Sequence, residues 1–595
     1  MKQPASIASA SGQGLGGQLG EMVALLRAGR CGGRILLLIA GLVVVIAATA
    51  WYQILLNAWN KPFYDALTHK DLPAFLEQLK VFAELAIVLL ALNVGQLWLD
   101  QTLKLTLRRS LFGALLGAWM KPGRADGIAR AGLIGENPDQ RMQIDADTLA
   151  DLTAALGIGL FQSTLLLLSF IGVLWEQSGT VAIPFAGNTY DIPGFMVWCA
   201  LIYSLTASWL SWRVGRRLVD LNAERSAREA SFRFELVRVN EARDDIALHH
   251  GEAAESSRIA SVFDNVVDIT RSVIRATIGL TWVTAGYGWF ALVAPIVAAS
   301  PFYFTGRMTI GELMLIVGAF NQVQSSLRWF VNNFSAIANW RATLHRVTSF
   351  HRALTALDAI KASDAPRIAR REQGAAVEIS GLNVMTPYLC VRLDTDPLLV
   401  APGERVLLHG MSGSGKTMLF RALAGLWQIG KGHITMPEKG RVLYLPTHAY
   451  VPPGPLIDSV CYPHASSDYA PGQVAEAMQA VGLGHLAGEL NSSERWDQSL
   501  DPGERQCIAF ARALLQKPDW LVMDDALVQI DPEAQARIVA LLKGPLAHVG
   551  LLGIGNGAEP LPLFQRSVTI LSEPGVSVLP LSGDANPAAA EAQPA

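Results

Sequence analysis

Gly410-Met411-Ser412-Gly413-Ser414-Gly415-Lys416-Thr417 follows the apolar run Arg405-Val406-Leu407-Leu408 and precedes the helix-forming Met418-Leu419-Phe420-Arg421-Ala422-Leu423. Residues of this composition at a strand-to-helix junction make a backbone nest, in which successive N–H groups turn toward one point and the positive end of the helix dipole adds to them. Gly410, Gly413 and Gly415 let the backbone approach a phosphate closely, and Ser412 and Ser414 complete the loop. Lys416 reaches the outer phosphates, and the Thr417 hydroxyl is placed to ligate Mg²⁺. A plain glycine-rich turn offers the same residues, so the surroundings decide. Downstream, Leu521-Val522-Met523 runs as an apolar strand into Asp524 and Asp525. Asp524 is expected to hold Mg²⁺, directly or through water, and Asp525 to polarise a water; the structural alternative is that both acids only cap the next helix.

The nest lies in a chain of 595 residues that is 51% hydrophobic and 17% charged. Soluble proteins carry about 25% charged residues, so this is a membrane protein's balance. A formal net charge of -3, without a basic stripe, argues against a nucleic-acid partner. Cys31, Cys199, Cys390, Cys461 and Cys507 are far apart and show neither metal spacing nor a disulfide framework. Apolar segments near 35–56, 80–99, 151–175, 193–213, 275–299 and 310–332 are each close to the roughly 20 residues that cross a bilayer core. The first is longer than a signal-peptide core of about 7–15 residues and no small-residue cleavage site closes it, so a retained helix is expected. Arg108, Arg109, Lys121 and Arg124 follow the second segment, and Arg213, Arg216 and Arg217 through Arg271 follow the fourth. The loop near 176–192 has no Lys or Arg, and that near 300–309 has only Arg307. The positive-inside rule then puts both termini in the cytoplasm, with Lys61, Lys70 and Lys80 running mildly against it.

The expected organisation is a disordered or peripheral segment at 1–30, a helical membrane domain at 31–350, a linker at 351–375, an α/β domain at 376–583 and a disordered tail at 584–595. Within the α/β part, Val377-Glu378-Ile379 and Leu398-Leu399-Val400 read as early strands, Arg405 to His409 as the strand before the nest, and Trp520 to Met523 as a buried strand.

Further stretches carry a family resemblance. Asn137-Pro138-Asp139-Gln140-Arg141, Glu229-Ala230 with Phe232-Arg233-Phe234, Gly251-Glu252-Ala253, and Trp340-Arg341-Ala342 with Arg346 accompany the nest. Together they resemble the ATP-binding-cassette transporters, and among these the fused half-transporters of exporter fold similar to bacterial peptide and vitamin B12 uptake proteins and to peroxisomal fatty-acyl transporters. The resemblance covers about residues 35–570. It implies an all-α membrane domain of six helices in a domain-swapped dimer, followed by an α/β P-loop nucleotide-binding domain. It further implies ATP and Mg²⁺ as ligands, the bacterial inner membrane as the location, and a homodimeric or heterodimeric partner that supplies the second nucleotide domain. The cytoplasmic loop 115–148 and helix 215–270 would couple the two domains, and Tyr388 would stack on adenine.

Four positions depart from that family's pattern. The signature Leu-Ser-x-Gly-Glu, which meets the partner's nucleotide, reads Leu500-Asp501-Pro502-Gly503-Glu504 here. Asp501 puts a carboxylate beside Gly503 where a hydroxyl would donate to phosphate, a costly pairing that Arg505 would offset in part. Thr447 stands for the expected glutamine after Leu445-Pro446 and is too short to touch both Mg²⁺ and the membrane domain. Asp525 stands for glutamate as the base, and Asn556 for the switch histidine; an amide bonds to phosphate but carries no proton near neutral pH. Asp531 keeps the acid of the intersubunit loop. Hydrolysis is therefore expected to be slow, absent, or confined to a composite site.

In the membrane half, Asn93, Gln96, Asn321, Gln322 and Gln324 serve either as interhelical glue or as the lining of a polar cavity for a hydrophilic solute or peptide. Glu84 is the acid whose place there calls for explanation, by proton coupling or by nearness to the polar interface. Asp139, Arg141, Glu229 and Arg233 read as salt-bridge or coupling groups before substrate ligands. An ATP-dependent transporter and a nonhydrolytic ATP-binding subunit or scaffold both fit these residues; a soluble P-loop enzyme does not.

Overall fold

The computed structural model describes residues 14–29, 32–129, 138–177, 180–185, 188–306, 308–360, 367–386, 389–438, 441–556 and 563–574. The described residues form two compact units, one from 14–124 with 138–355, the other from 356–574 with 125–129.

The first unit is built of long helices: α1 Leu15–Ala28, α2 Gly32–Thr68, α3 Leu72–Trp119, then, beyond the short α4 at Arg124–Ala129, α5 Pro138–Gln177, α6 Phe195–Glu241, α7 Arg243–Leu248, α8 Glu252–Phe304, α9 Ile310–Asn332 and α10 Phe334–Ile360. Five of them, α2, α3, α5, α6 and α8, are long and apolar enough to cross a membrane. They exceed the expected spans because their polar ends continue as regular helix. The segment expected as a sixth span forms the 23-residue α9, which falls short of that apolarity for a physical reason. It lies inside the bundle: Ile316, Ala319, Phe320 and Val323 pack with Phe170, Leu174, Met196 and Ala200. A helix surrounded by protein needs no lipid-facing surface. By contrast, none of the most apolar stretch of α3 is buried within the chain.

Several expectations change here. Residues 15–28, inside the segment expected to be disordered or peripheral, form a helix that buries Met22 and Leu25. Glu21 of α1 meets His351 Nδ1 at 3.0 Å and bonds to Arg352 of α10. The loop near 176–192 holds a hairpin of β1 Thr180–Phe185 and β2 Asn188–Pro193. The stretch 215–270, expected as one helix, breaks into α6, α7 and α8, with His250 at φ 52 in the turn between the last two. The 351–375 linker is shorter than expected, because α10 runs to Ile360 and a strand, β3 Ala369–Gly374, has already begun.

Three family-like side chains, Arg141, Arg346 and Trp340, find partners in the helical unit. Asp145, buried at the end of a π-helical turn over Arg141–Asp145, accepts from Arg141 Nη1 at 2.9 Å and from Arg346 Nε and Nη2 at 3.0 and 2.8 Å. Trp340 Nε1 donates to Thr153 Oγ1 at 2.9 Å. Arg141 is thus a structural ion-pair group, while Asp139 and Arg233 are exposed. Gln96 Nε2 donates to Gln162 Oε1 at 3.1 Å between α3 and α5, which is the helix-gluing role. Asn93 and Glu84 are exposed on α3, so within one chain neither faces a cavity.

Among the described residues the second unit holds a ten-stranded sheet and, besides shorter helical turns, the helices α11 Lys416–Leu423, α12 Leu456–Cys461, α13 Pro471–Ala480, α14 Pro502–Gln516 and α15 Pro532–Lys543. Its strands are β3, β4 Val377–Met385, β5 Leu389–Leu393, β6 Leu398–Val400, β7 Arg405–His409, β8 Gly430–Pro437, β9 Val442–Leu445, β10 Trp520–Asp524, β11 Gly550–Gly555 and β12 Arg566–Pro574. They run in the order β3-β8-β4-β5-β12-β7-β11-β10-β9, with β6 beside β4. From β12 to β9 neighbours are parallel, and the central pair β10 and β11 is covered on both faces, every residue of the two being buried. Side-chain alternation divides the core: Leu521 and Met523 join the helical layer around Ile508 and Phe510, whereas Trp520 and Val522 join the opposite layer around Leu419 and Leu423.

Candidate nucleotide site

In an open parallel sheet, ligands collect at the carboxyl ends of the strands. Here the register sets three such ends side by side: Gly555 of β11 opposite His409 of β7, and Ile554 opposite Asp524 of β10. The 410–417 loop leaves β7 at that edge and turns into α11 Lys416–Leu423. Gly413 and Gly415 have φ 82 and φ 85, which glycine adopts without strain. A Cβ at Gly415 would lie 2.4 Å from Val391 Cγ2, so tertiary packing requires glycine there as well.

Ser414 Oγ is buried with no hydrogen-bond partner among the described residues, 2.5 Å from where a Cβ on Gly410 would be, so glycine is required at 410 as well. Lys416 is buried, with its ammonium on Gly410 O at 3.1 Å and on Asn556 Oδ1. Ser412 is exposed on the rim. The Thr417 hydroxyl lies beside the Asp524 carboxylate, so the two expected Mg²⁺ ligands already stand together. Burial pushes the Asp524 carboxyl above its ordinary value; the Thr417 hydroxyl works against this, and the charge of Asp525 adds to it. Two close carboxylates, one of them buried, beside a hydroxyl and a lysine are a donor set that suits a hard divalent cation with phosphates. Asp525 takes φ 47 and donates its N–H to Ile554 O at 2.8 Å, and its Oδ1 stands 3.2 Å from where a Cβ on Gly555 would be.

Two of the departures, Asp501 and Thr447, are spent on backbone contacts. Asp501 is the N-cap of α14 Pro502–Gln516: its Oδ1 accepts from Glu504 N at 2.8 Å, and Glu504 Oε2 accepts from Asp501 N at 3.0 Å. Its carboxylate is committed to this capping box and is not a stray charge. Arg505 does not offset it, because its Nη1 donates to Asp497 O at 3.3 Å. The Thr447 hydroxyl donates to Asp524 O at 3.0 Å, so it fixes backbone and is not directed at a ligand. Gly503 lies against the next loop, where a Cβ would come 2.9 Å from Gln529 O. Tyr388 lies outside the described residues.

Two positioning residues escaped the sequence reading. Gln506, fully buried, donates to Pro446 O at 3.0 Å, and Arg512 holds Ser459 O and Tyr450 O. Burial pulls the Arg512 guanidinium down to about 10. The available signal was that Gln506 and Arg512 bracket the apolar run Cys507 through Ala511.

Residues 25–304 match the family described as ABC transporter transmembrane region 2, and residues 393–528 match the family described as ABC transporter. The chain belongs to the ATP-binding-cassette transporters. It is a half-transporter, with one membrane region fused to one ATP-binding region, of a kind that generally works as a dimer in a membrane. It is similar to the inner membrane ABC transporter ATP-binding protein YddA of Escherichia coli, 27% identical over 88% of this chain and 93% of that protein. It is also similar to ABC transporter D family member 2, chloroplastic, of Arabidopsis thaliana, 27% identical over 90% of this chain and 83% of that protein. ATP-binding cassette sub-family D member 3 of Rattus norvegicus is 35% identical over 22% of each chain. An ATP-binding region of this family implies ATP and typically Mg²⁺, and the nest, Lys416, Thr417 and Asp524 fit that pair.

Proposed function

We propose that two copies of this half-transporter form a domain-swapped dimer in a bacterial inner membrane, bind ATP with Mg²⁺ and move a hydrophilic solute or peptide, with hydrolysis slower than the family pattern allows. The observation that carries the reading is the convergence of Lys416, Thr417, Asp524, Asp525 and Asn556 at the carboxyl ends of three adjacent parallel strands. With α9 as a sixth crossing, both termini lie in the cytoplasm, on the side of the nucleotide. Lys416, the N–H groups of 413–417 and Ser414 hold the phosphates, Thr417 and Asp524 hold the metal, and Asp525 orients a water. Bound Mg²⁺ supplies charge neutralisation at the phosphates. Slow hydrolysis is supported by Asn556, whose amide oxygen is taken by Lys416 and carries no proton. The same contact favours a second reading, an ATP-binding subunit that depends on a hydrolytically competent partner. Proton coupling through Glu84 has no such support, since that side chain is exposed on an apolar helix face.

The test is ATP turnover and solute uptake in lipid vesicles for the chain and for Lys416→Ala. Turnover lost in the variant is the expected result. Tight ATP binding without turnover in the unmodified chain would leave the competent-partner reading, and uptake unchanged by Lys416→Ala would overturn ATP-driven transport.

A further inference from the structure

One five-residue segment touches four separate parts of the nucleotide unit. β9 is the edge strand beside β10, and the chain leaving it at 446–450 makes four contacts in succession. Pro446 O accepts from Gln506 Nε2 at 3.0 Å, and Thr447 Oγ1 donates to Asp524 O at 3.0 Å. His448 Nδ1 pairs with Gln529 Nε2 at 3.0 Å, and Tyr450 O accepts from Arg512 Nη2 at 2.7 Å. Gln506 and Arg512 are buried, and Asp524 O belongs to a buried strand, so three of these contacts are fixed by packing. The His448–Gln529 bridge is the exposed one, able to break and re-form.

Gln529 lies midway along a loop pinned at both ends. Asp525 N bonds to Ile554 O, and the Asp531 carboxylate caps α15 Pro532–Lys543 through Glu533 N and Ala534 N, each at 3.0 Å. Between the pins, Gln529 O and Ile530 back directly onto Gly503, where no side chain fits. The position of Gln529 therefore sets how closely the 525–531 loop seats against the start of α14.

We propose that His448 is the positioning residue that links the metal-binding edge of the site to the 525–531 loop and to Gly503. It does so through Gln529 and takes over a role that Thr447, spent on Asp524 O, does not fill. The proposal rests on the nucleotide reading given above. In the bridge the ring Nδ1 accepts from the Gln529 amide N–H.

The first measurement is hydrogen exchange across 525–531 in the full chain without nucleotide. His448→Ala and Gln529→Ala are each expected to speed exchange roughly three- to ten-fold, one exposed hydrogen bond's worth, with the double variant no faster than either and His448→Gln restoring protection. With ATP, kcat falls in both alanine variants while KM stays, and His448→Gln recovers it. Unchanged exchange in His448→Ala, additive effects in the double variant, or a raised KM with kcat intact would each overturn the proposal. An unmodified chain that binds no ATP, yet shows the exchange pattern, would overturn the nucleotide reading and the linking role while leaving the bridge itself established.

Discussion

Replacing Asp501 separates two roles that the sequence alone would merge. In the structure its side chain accepts from Glu504 N at 2.8 Å, and Glu504 returns a bond to Asp501 N at 3.0 Å. Asp501→Ala removes the cap, a loss of about 1 kcal/mol within a usual range of ~0.5–2. Amides in the first turn of α14 should then exchange about five-fold faster. Asp501→Ser keeps a capping oxygen and gives up only the favourable placement of a negative charge at a helix start, a few tenths of a kcal/mol at this exposed site. Serine also removes the charge that would face a phosphate across a closed dimer. A unit charge at ~4 Å in a water-like dielectric is worth about 1 kcal/mol, so turnover should rise roughly five-fold. The assays are hydrogen exchange of 502–506 and ATP turnover in lipid, made on the same preparations. If Asp501→Ser exchanges as fast as Asp501→Ala, the side chain is not the cap. If turnover does not rise, its charge is not a brake on hydrolysis.

Asp145→Ala strands Arg141 and Arg346 without a carboxylate and should cost about 3 kcal/mol, the low end for a broken buried pair because Arg346 is 37% exposed; thermal inactivation in detergent reads it, with Asp145→Asn milder. Asp524→Asn should raise the melting temperature of the nucleotide-free protein at pH 7 and abolish Mg²⁺-dependent ATP binding. The sign follows from the raised Asp524 carboxyl: its contribution to stability is intact below the ordinary carboxylate value and is lost as pH rises through the folded one, so the gain should shrink toward pH 4. Burial, with Asp531 and Asp501 adding, pushes the Cys507 thiol up to about 11. Iodoacetamide at pH 8 should therefore leave Cys507 unmodified in the native chain and label it after unfolding, as peptide mapping by mass spectrometry would show.

Physical chemistry explains why some of this was readable from the chain. Nest, apolar strand and helix are contiguous at 405–423, so local chemistry alone announces them, and every residue of β10 is apolar up to Asp524 because a parallel strand is covered on both faces. Long apolar segments announce themselves the same way. The segment that became α1 has no such run; it is held by contacts with residues more than 300 positions away, such as Glu21 with His351 and Arg352.

Sequence by itself determined the chemistry on offer: a phosphate nest, two carboxylates after a buried strand, long apolar helices, and four substitutions in positions that matter to hydrolysis. Only the tertiary structure decided how those groups are spent. It gives Thr447 to a backbone carbonyl, Asn556 to Lys416, and Asp145 to Arg346. Hydrogen-bond partners of this kind depend on the meeting of elements far apart in the chain, and a side chain's type limits the bonds it can make without naming the group that takes them.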